Sequence, residues 1–247
     1  HNLLLRSDYA NAELTGNFYY STLFKDLQQL SHEFALNIKN DRAEIINYYA
    51  NKNIDTHEYQ AKFNINLIDL NPILTLTKLN FRLSGETNIE GSFTNGFTSR
   101  LQAFTQIDTI EVAGKKIIHT EIEFAGSKIR DSTRALAVLS VNSKRQEIAS
   151  NFITKNLFTE AVWDEDHIDL NLDFDQEGTT NSVRLLSEID FLTDSTRIKI
   201  LPSRFQILDE EWRVSNDNYA MMKGKEWLIR NLKIFNGEES LLLDGNL

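Results

Sequence analysis

The sequence predicts an all-β protein: long antiparallel strands in an extended or gently curled sheet, with one short N-terminal helix. Three observations predict it. Apolar residues fall at every second position along much of the chain, turn-forming pairs separate those runs, and the chain holds only 2 Pro and 10 Gly in 247 residues. Period-2 alternation is the mark of a strand with one buried face. A closed sandwich or barrel of this size turns many tight corners and normally carries more of both residues. Their scarcity favours long strands in an extended or gently curled sheet.

In chain order, residues 22–32 read as the helix, with Leu23, Leu27 and Leu30 on one face. Tyr59, Ala61, Phe63, Ile65 and Leu67 then alternate with Gln60, Lys62, Asn64 and Asn66, which predicts a strand with one dry face. Residues 68–76 read as helical or irregular and are broken at Pro72. Leu79, Phe81 and Leu83 restore the alternation around Asn80 and Arg82, and Ile118, Ile122 and Phe124 continue it around Glu121 and Glu123. Ile168, Leu170, Leu172 and Phe174 sit among Asp169, Asn171, Asp173 and Asp175, the strictest amphipathic strand in the chain. One of its faces is oily and the other acidic. Asn95-Gly96, Ala113-Gly114, Glu177-Gly178 and Asn236-Gly237 stand where hairpins reverse. Strand lengths and turn spacing together predict on the order of a dozen strands or more in a meander. No linker composition interrupts it, so residues 1–247 are expected to form one continuous body.

Composition narrows the function classes. The 26 Lys and Arg against 36 Asp and Glu give a net charge of -10, and the basic residues are scattered, which disfavours nucleic acid as a partner. Cysteine is absent, removing disulfides, thiolate nucleophiles and Cys-based zinc sites together. No apolar run approaches the roughly 20 residues of a spanning helix. The start at His1-Asn2-Leu3 reads as that of an excised segment, with targeting elements outside it.

The motifs that could carry chemistry are near misses. The stretch from Gly91 to Thr98 has phosphate-loop spacing, but Phe97 stands where the lysine is needed, and it reads better as a hairpin turning at Asn95-Gly96. The run from Asp173 to Gly178 opens like a calcium loop, yet Arg184 occupies the position of the closing glutamate. The wider acidic run Asp164, Glu165, Asp166, Asp169, Asp173 and Asp175 reads first as a solvated strand face, with a weak divalent-ion site as the lesser reading. His1, His32, His57, His119 and His167 show no metal-binding spacing, and no Gly-x-Ser-x-Gly elbow exists. No catalytic residue, metal or cofactor is expected. Trp163, Trp212 and Trp227 could stack on sugars, although strand tryptophans are more often core.

The last third carries a pattern: Ser203-Arg204-Phe205-Gln206-Ile207, Trp212-Arg213-Val214, Asn218, the run from Trp227 to Ile234, and Leu241-Leu242-Leu243-Asp244-Gly245. This succession resembles the repeat of Bacteroidota versions of the TamB-type, AsmA-like family. Residues 12–18 and a strand at residues 34–38 look similar to the preceding repeat of the same family. The resemblance rests on patterned strands, with Trp212, Asn231 and Gly245 at matching positions, and it transfers no catalytic residue.

Membership would imply an elongated antiparallel sheet curled into a U-shaped trough, as an internal segment of a periplasmic protein anchored in the inner membrane and meeting an outer-membrane barrel through regions outside this chain. Its hydrophobic groove would be lined by Tyr59, Phe63, Ile65, Leu67, Phe81, Ile122, Phe124, Ile168, Leu170, Leu172, Phe174, Phe205, Ile207 and Trp212. Phospholipid acyl chains are the expected partners, since each buried methylene contributes about 0.8 kcal/mol without needing a specific polar contact. Phospholipid transport and outer-membrane biogenesis form the leading expectation. A scaffold for the assembly of outer-membrane or secreted proteins is the second. A glycan-binding β-sandwich is the third, and a hydrolase using acidic pairs the last.

Overall fold

The structure is a computed structural model that describes residues 1–52, 57–69, 71, 81–84, 86–149, 151–237 and 239–246. It opens with strands β1 (Asn2–Arg6) and β2 (Ala10–Gly16), helices α1 (Tyr20–Lys39) and α2 (Arg42–Asn51), and strand β3 (Tyr59–Leu67). There follow β4 (Phe81–Ser84), β5 (Thr87–Asn95), β6 (Thr98–Val112), β7 (Lys115–Ile129), β8 (Ala135–Ala149), β9 (Phe152–Asp164), β10 (His167–Gln176) and β11 (Ser182–Phe191). The chain closes with β12 (Thr196–Ile200), β13 (Arg204–Ile207), β14 (Glu210–Val214), β15 (Tyr219–Lys223), β16 (Glu226–Asn236) and β17 (Glu239–Asn246).

Among the described residues, 17 strands form one sheet. The pairings run antiparallel in chain order from β1 to β17, so the sheet is a meander. Three rungs are broken in two. β4 and β5 both pair with β6, β12 and β13 both pair with β11, and β14 and β15 both pair with β16. The break between β12 and β13 contains Pro202, which has no N–H to give to a ladder.

The predicted reversals fall where the pairs stand. Ala113 and Gly114 both take positive φ, 50° and 78°, between β6 and β7, as a two-residue hairpin with the twist of its strands requires. Asn95-Gly96, Glu177-Gly178 and Asn236-Gly237 likewise sit between paired strands. With so few corners, β6, β7 and β8 each run for 15 residues.

The helical part is larger than the sequence pattern suggests. α1 spans 20 residues, and a second helix follows, N-capped by Asp41, whose carboxylate accepts from the Glu44 N–H at 3.0 Å. Residues 34–38, expected as a strand, are the last turns of α1. The spacing Leu23, Leu27, Leu30, Phe34 is a continuous i, i+4, i+7, i+11 series, and that period prevails over the short apolar run. The stretch expected to be irregular around Pro72 lies largely outside the described residues.

The registers lay the apolar positions out in rows that cross the strands on one face. Ala61 pairs with Phe93, Phe93 with Leu101, Leu101 with Gly126, Gly126 with Ala137, Ala137 with Trp163 and Trp163 with Ile168. One row further along the strands run Phe63, Gly91, Ala103, Phe124, Leu139, Ala161 and Leu170, and beyond it Ile65, Ile89, Thr105, Ile122, Val141, Thr159 and Leu172.

The alternation is interrupted at one column. The ladders skip Asp108, His119, Lys144 and Asn156, neighbours on β6, β7, β8 and β9, and His119 and Asn156 take φ of 51° and 56°. Each strand leaves one residue out of the ladder at this column and kinks there, while the register on either side is unchanged. Burial shows the phase change: Ile107 and Ile110 are both buried on β6, and Ser143 and Gln146 on β8, three positions apart in each case. Ile118, expected in phase with Ile122, is therefore displaced from that face by the kink at His119, where φ is 51°.

Candidate functional site

The apolar face is the candidate site, and α1 decides how much of it is covered. The helix lies across the strands. Tyr20 Oη donates to Asn2 O of β1, and Tyr59 Oη on β3 and Asn95 Nδ2 on β5 donate to Asp26 Oδ2 at 2.7 and 3.0 Å. At the other end Asn40 Nδ2 donates to Leu192 O, just past β11. Leu23 and Leu30 join Leu14, Phe18, Tyr59, Ala61 and Phe93 in one buried cluster. Phe34 packs between Phe124 and Trp163, with ring centroids 6.5 and 5.5 Å away, against a second cluster of Ala135, Ala137 and Trp163.

A buried polar cluster adds to the apolar packing of the helix pair on the sheet. Glu33 is 3% exposed and accepts from Gln29 Nε2, Tyr48 Oη and Tyr49 Oη at 3.1, 3.0 and 3.2 Å. Lys52 Nζ lies 2.8 Å from one of its oxygens and Lys128 Nζ 3.7 Å from the other, and both ammonium groups approach the Tyr49 ring. Lys128 also donates to Ser132 O. Burial pulls the Lys128 pKa down to about 8 against the attraction of Glu33. Burial, with the adjacent Glu33 carboxylate, pushes the Tyr48 and Tyr49 hydroxyls well above the usual phenol range.

At about 100° per residue, the arc of α1 that faces the sheet runs through Leu36, Glu33, Leu30, Leu23 and Phe34. The apolar arc continues past it, through Leu27, Tyr20, Ile38 and Phe24, and Phe24 and Ile38 are 55% and 58% exposed. The side carrying Glu33 and Asp26 meets the strand ends at Lys128 and Asn95, whereas Phe34 reaches the row of Phe124. The uncovered apolar flank therefore looks along the strands toward Ile65, Ile122 and Leu172, all only partly buried. Floor and flank lie on the same side of the sheet, its apolar face.

The predicted lining residues distribute over it unevenly. Phe63, Phe124 and Leu170 share one row, and Ile65, Ile122 and Leu172 the next. Phe174 pairs with Val183, Val183 with Phe205 and Phe205 with Trp212, which carries the face toward the last rungs. Leu67 pairs with Thr87 at the end of β3. Tyr59 and Ile168 belong to the part packed against α1. Phe81 pairs with Val112, beyond the bulge column, and Ile207 sits exposed at a hairpin end opposite Glu210. The residues missed by the sequence reading are Phe24 and Ile38 of α1, which the helical period extended to residue 38 exposes, and the half-exposed Leu139 of β8.

The opposite face is polar. Arg184 pairs with Asp175 at 3.0 Å, Arg197 with Asp190 at 2.9 Å, and His167 bridges Asp190 and Asp169 at 2.8 and 3.1 Å. The hydrogen bond to Asp190 raises the His167 pKa. Two shallow concavities border the strands, one of about 680 Å³ where Lys62, Glu90, Glu123 and Glu160 meet Phe104 and Val138, the other of about 630 Å³ where Asp108, His119, Lys144 and Asn156 meet Thr120 and Ser143. Among the described residues no group of His, Asp and Glu is arranged to hold a metal ion. Residues 91–95 are strand and turn at Asn95-Gly96, and Trp163 is buried with its Nε1 donating to Glu165 O at 2.8 Å.

No helix among the described residues is long and apolar enough to cross a membrane. Comparison with family models, with curated proteins and with solved structures gives no match.

Proposed function

We propose that the chain binds the acyl chains of lipids along its apolar face, as a periplasmic segment of a TamB-type bridge for phospholipid transport and outer-membrane biogenesis. One observation carries the acyl-chain part. Rows of apolar side chains stay in register over successive rungs of a single sheet, and only part of that face is covered by α1. A contiguous apolar surface of this kind is uncommon on a soluble monomer and calls for a partner. An acyl chain suits it because the rows offer area without fixed polar contacts. The periplasmic setting and the membrane bridge rest on the strand pattern of the last third alone.

Native mass spectrometry of the purified chain tests the reading. Co-purified phospholipid that survives detergent-free purification is the expected result, and a chain that stays lipid-free after incubation with phospholipid vesicles contradicts it.

A second reading, a scaffold for assembling membrane or secreted proteins, uses the same sheet: Leu241, Leu242 and Leu243 of β17 are exposed beside β16 and offer an apolar strand for pairing. Both uses are compatible with one sheet.

A further inference from the structure

The kink column marks a valley that crosses four strands. Gln106, Glu121, Asn142 and Phe158 form one row over β6, β7, β8 and β9. Two positions along each strand stand Asp108, His119, Lys144 and Asn156, the residues left out of the ladders. Both rows line the concavity of about 630 Å³. Neighbouring strands lie about 4.8 Å apart, so the valley runs across about 14 Å of sheet. The residues of the first row are the chain neighbours of Thr105, Ile122, Val141 and Thr159 in the apolar rows, and therefore face the other way. Phe158 is partly buried and the other side chains of the two rows are exposed. His119 and Asn156 hold φ of 51° and 56° in the middle of their strands, an uncommon state for a residue other than glycine and one that gathers at functional sites. Contacts within the walls set some of the groups in place: Gln106 Nε2 donates to Glu121 Oε1 at 3.0 Å, Asn156 Nδ2 donates to Asp175 Oδ2 at 2.9 Å, and His119 Nδ1 lies 3.8 Å from Asp108 Oδ1.

We propose that this valley binds a neutral oligosaccharide lying across the strands. The ligand class follows from the mixture of groups. Amides at Gln106, Asn142 and Asn156 both donate and accept, the carboxylates of Asp108 and Glu121 accept, and Lys144 donates, which together match hydroxyl groups that do both. Phe158 adds an apolar ring on which the C–H face of a sugar can rest. A polyanion would meet Asp108 and Glu121, and a polycation would meet Lys144, so a ligand without charge fits both walls. Among the described residues no group of His, Asp and Glu is arranged for a metal ion, so the acidic side chains are not spoken for in that way. An extended peptide recognises a sheet by pairing along a strand, whereas this valley runs across strands whose ladders are already paired on both sides of the column. The proposal stands apart from the acyl-chain reading, because the sheet separates the valley from the apolar rows.

Isothermal titration calorimetry of the full chain tests it, with cellotetraose, laminaritetraose and maltotetraose at millimolar concentration against tetragalacturonate, a chain of similar rings with a carboxylate on each. At least one neutral tetrasaccharide should bind, and tetragalacturonate should bind at least about tenfold more weakly. Asn142→Ala should lower the affinity for that tetrasaccharide about fivefold, the worth of one neutral hydrogen bond. Phe158→Leu, which keeps an apolar side chain and removes the ring, should lower it by a similar factor of about five. Gln102→Ala, in the other concavity, should leave it unchanged. Circular dichroism and Tm report the fold, and because Asn142 is exposed its truncation keeps the test open even where the Phe158 variant is destabilised. Failure of all three neutral tetrasaccharides to bind overturns the proposal, as does tetragalacturonate binding as tightly as they do. Undiminished affinity in folded Asn142→Ala, or an equal loss in Gln102→Ala, places any sugar binding elsewhere and overturns the valley as its site.

Discussion

Replacing Glu33 with Gln removes the carboxylate that faces both Lys52 and Lys128 in the cluster between the helix pair and the sheet. Lys128 and Lys52 have side chains 1% and 5% exposed, so neither can turn to water for compensation. Breaking a buried ion pair from one side costs about 3–5 kcal/mol. The lower end applies here, because Lys128 can shed its proton: its pKa is already near 8 with Glu33 present and falls further without it. The pH dependence carries the sign. Between the folded value near 8 and the unfolded value of 10.5, the unfolded chain holds more protons on Lys128, so this group makes stability rise with pH in that window. In the variant the rise begins at lower pH. The stability gap between the two proteins should therefore narrow by about 1 kcal/mol between neutral pH and about pH 9.5. Above about pH 10 the raised hydroxyls of Tyr48 and Tyr49 act in the opposite sense, since the unfolded chain loses those protons first. Urea unfolding followed by circular dichroism at both pH values measures this. A loss under about 1 kcal/mol at neutral pH, or a gap that does not narrow, refutes the account of the cluster.

Three further outcomes follow from packing and charge. Phe34→Ala removes the ring between Phe124 and Trp163 and should cost about 3–5 kcal/mol, read as a lower Tm with a red-shifted tryptophan emission. Gly16→Ala should cost at least about 2 kcal/mol, because φ is +147° and the new Cβ would lie 2.1 Å from Gln60 O, whereas Gly178→Asn, at φ +75° with open space around it, should leave the midpoint of urea unfolding almost unchanged. Leu170→Arg places a charge on the row shared with Phe63 and Phe124. With the fold intact by circular dichroism, it should abolish lipid co-purification, while Asp173→Asn on the opposite face keeps it.

The strands were legible because their cause is local. Alternation at Tyr59 to Leu67 and at Ile168 to Phe174, and the turn chemistry of Ala113-Gly114, fix direction and reversal within a few residues. The helix was only half legible. A window ending at His32 stops short of Phe34 and Ile38, which complete the same period and supply both the contact with Trp163 and the exposed flank. The bulge column was not legible at all. Asp108, His119, Lys144 and Asn156 carry no glycine signal, and the phase shift appears only when four neighbouring strands bend together. Glu33 was hidden for a similar reason: its partners Lys52 and Lys128 come from distant positions, so nothing near it in sequence marks it as buried.

The most direct test of the acyl-chain assignment is site-resolved photocrosslinking. A benzophenone amino acid is placed at Leu139, a half-exposed position on the apolar floor, and in a second protein at Gln102, on the polar face of β6. Each protein is incubated with phospholipid vesicles, irradiated and analysed by mass spectrometry. The account predicts lipid adducts at position 139 and none above background at 102. Adducts of equal yield at both positions, or at 102 alone, contradict it.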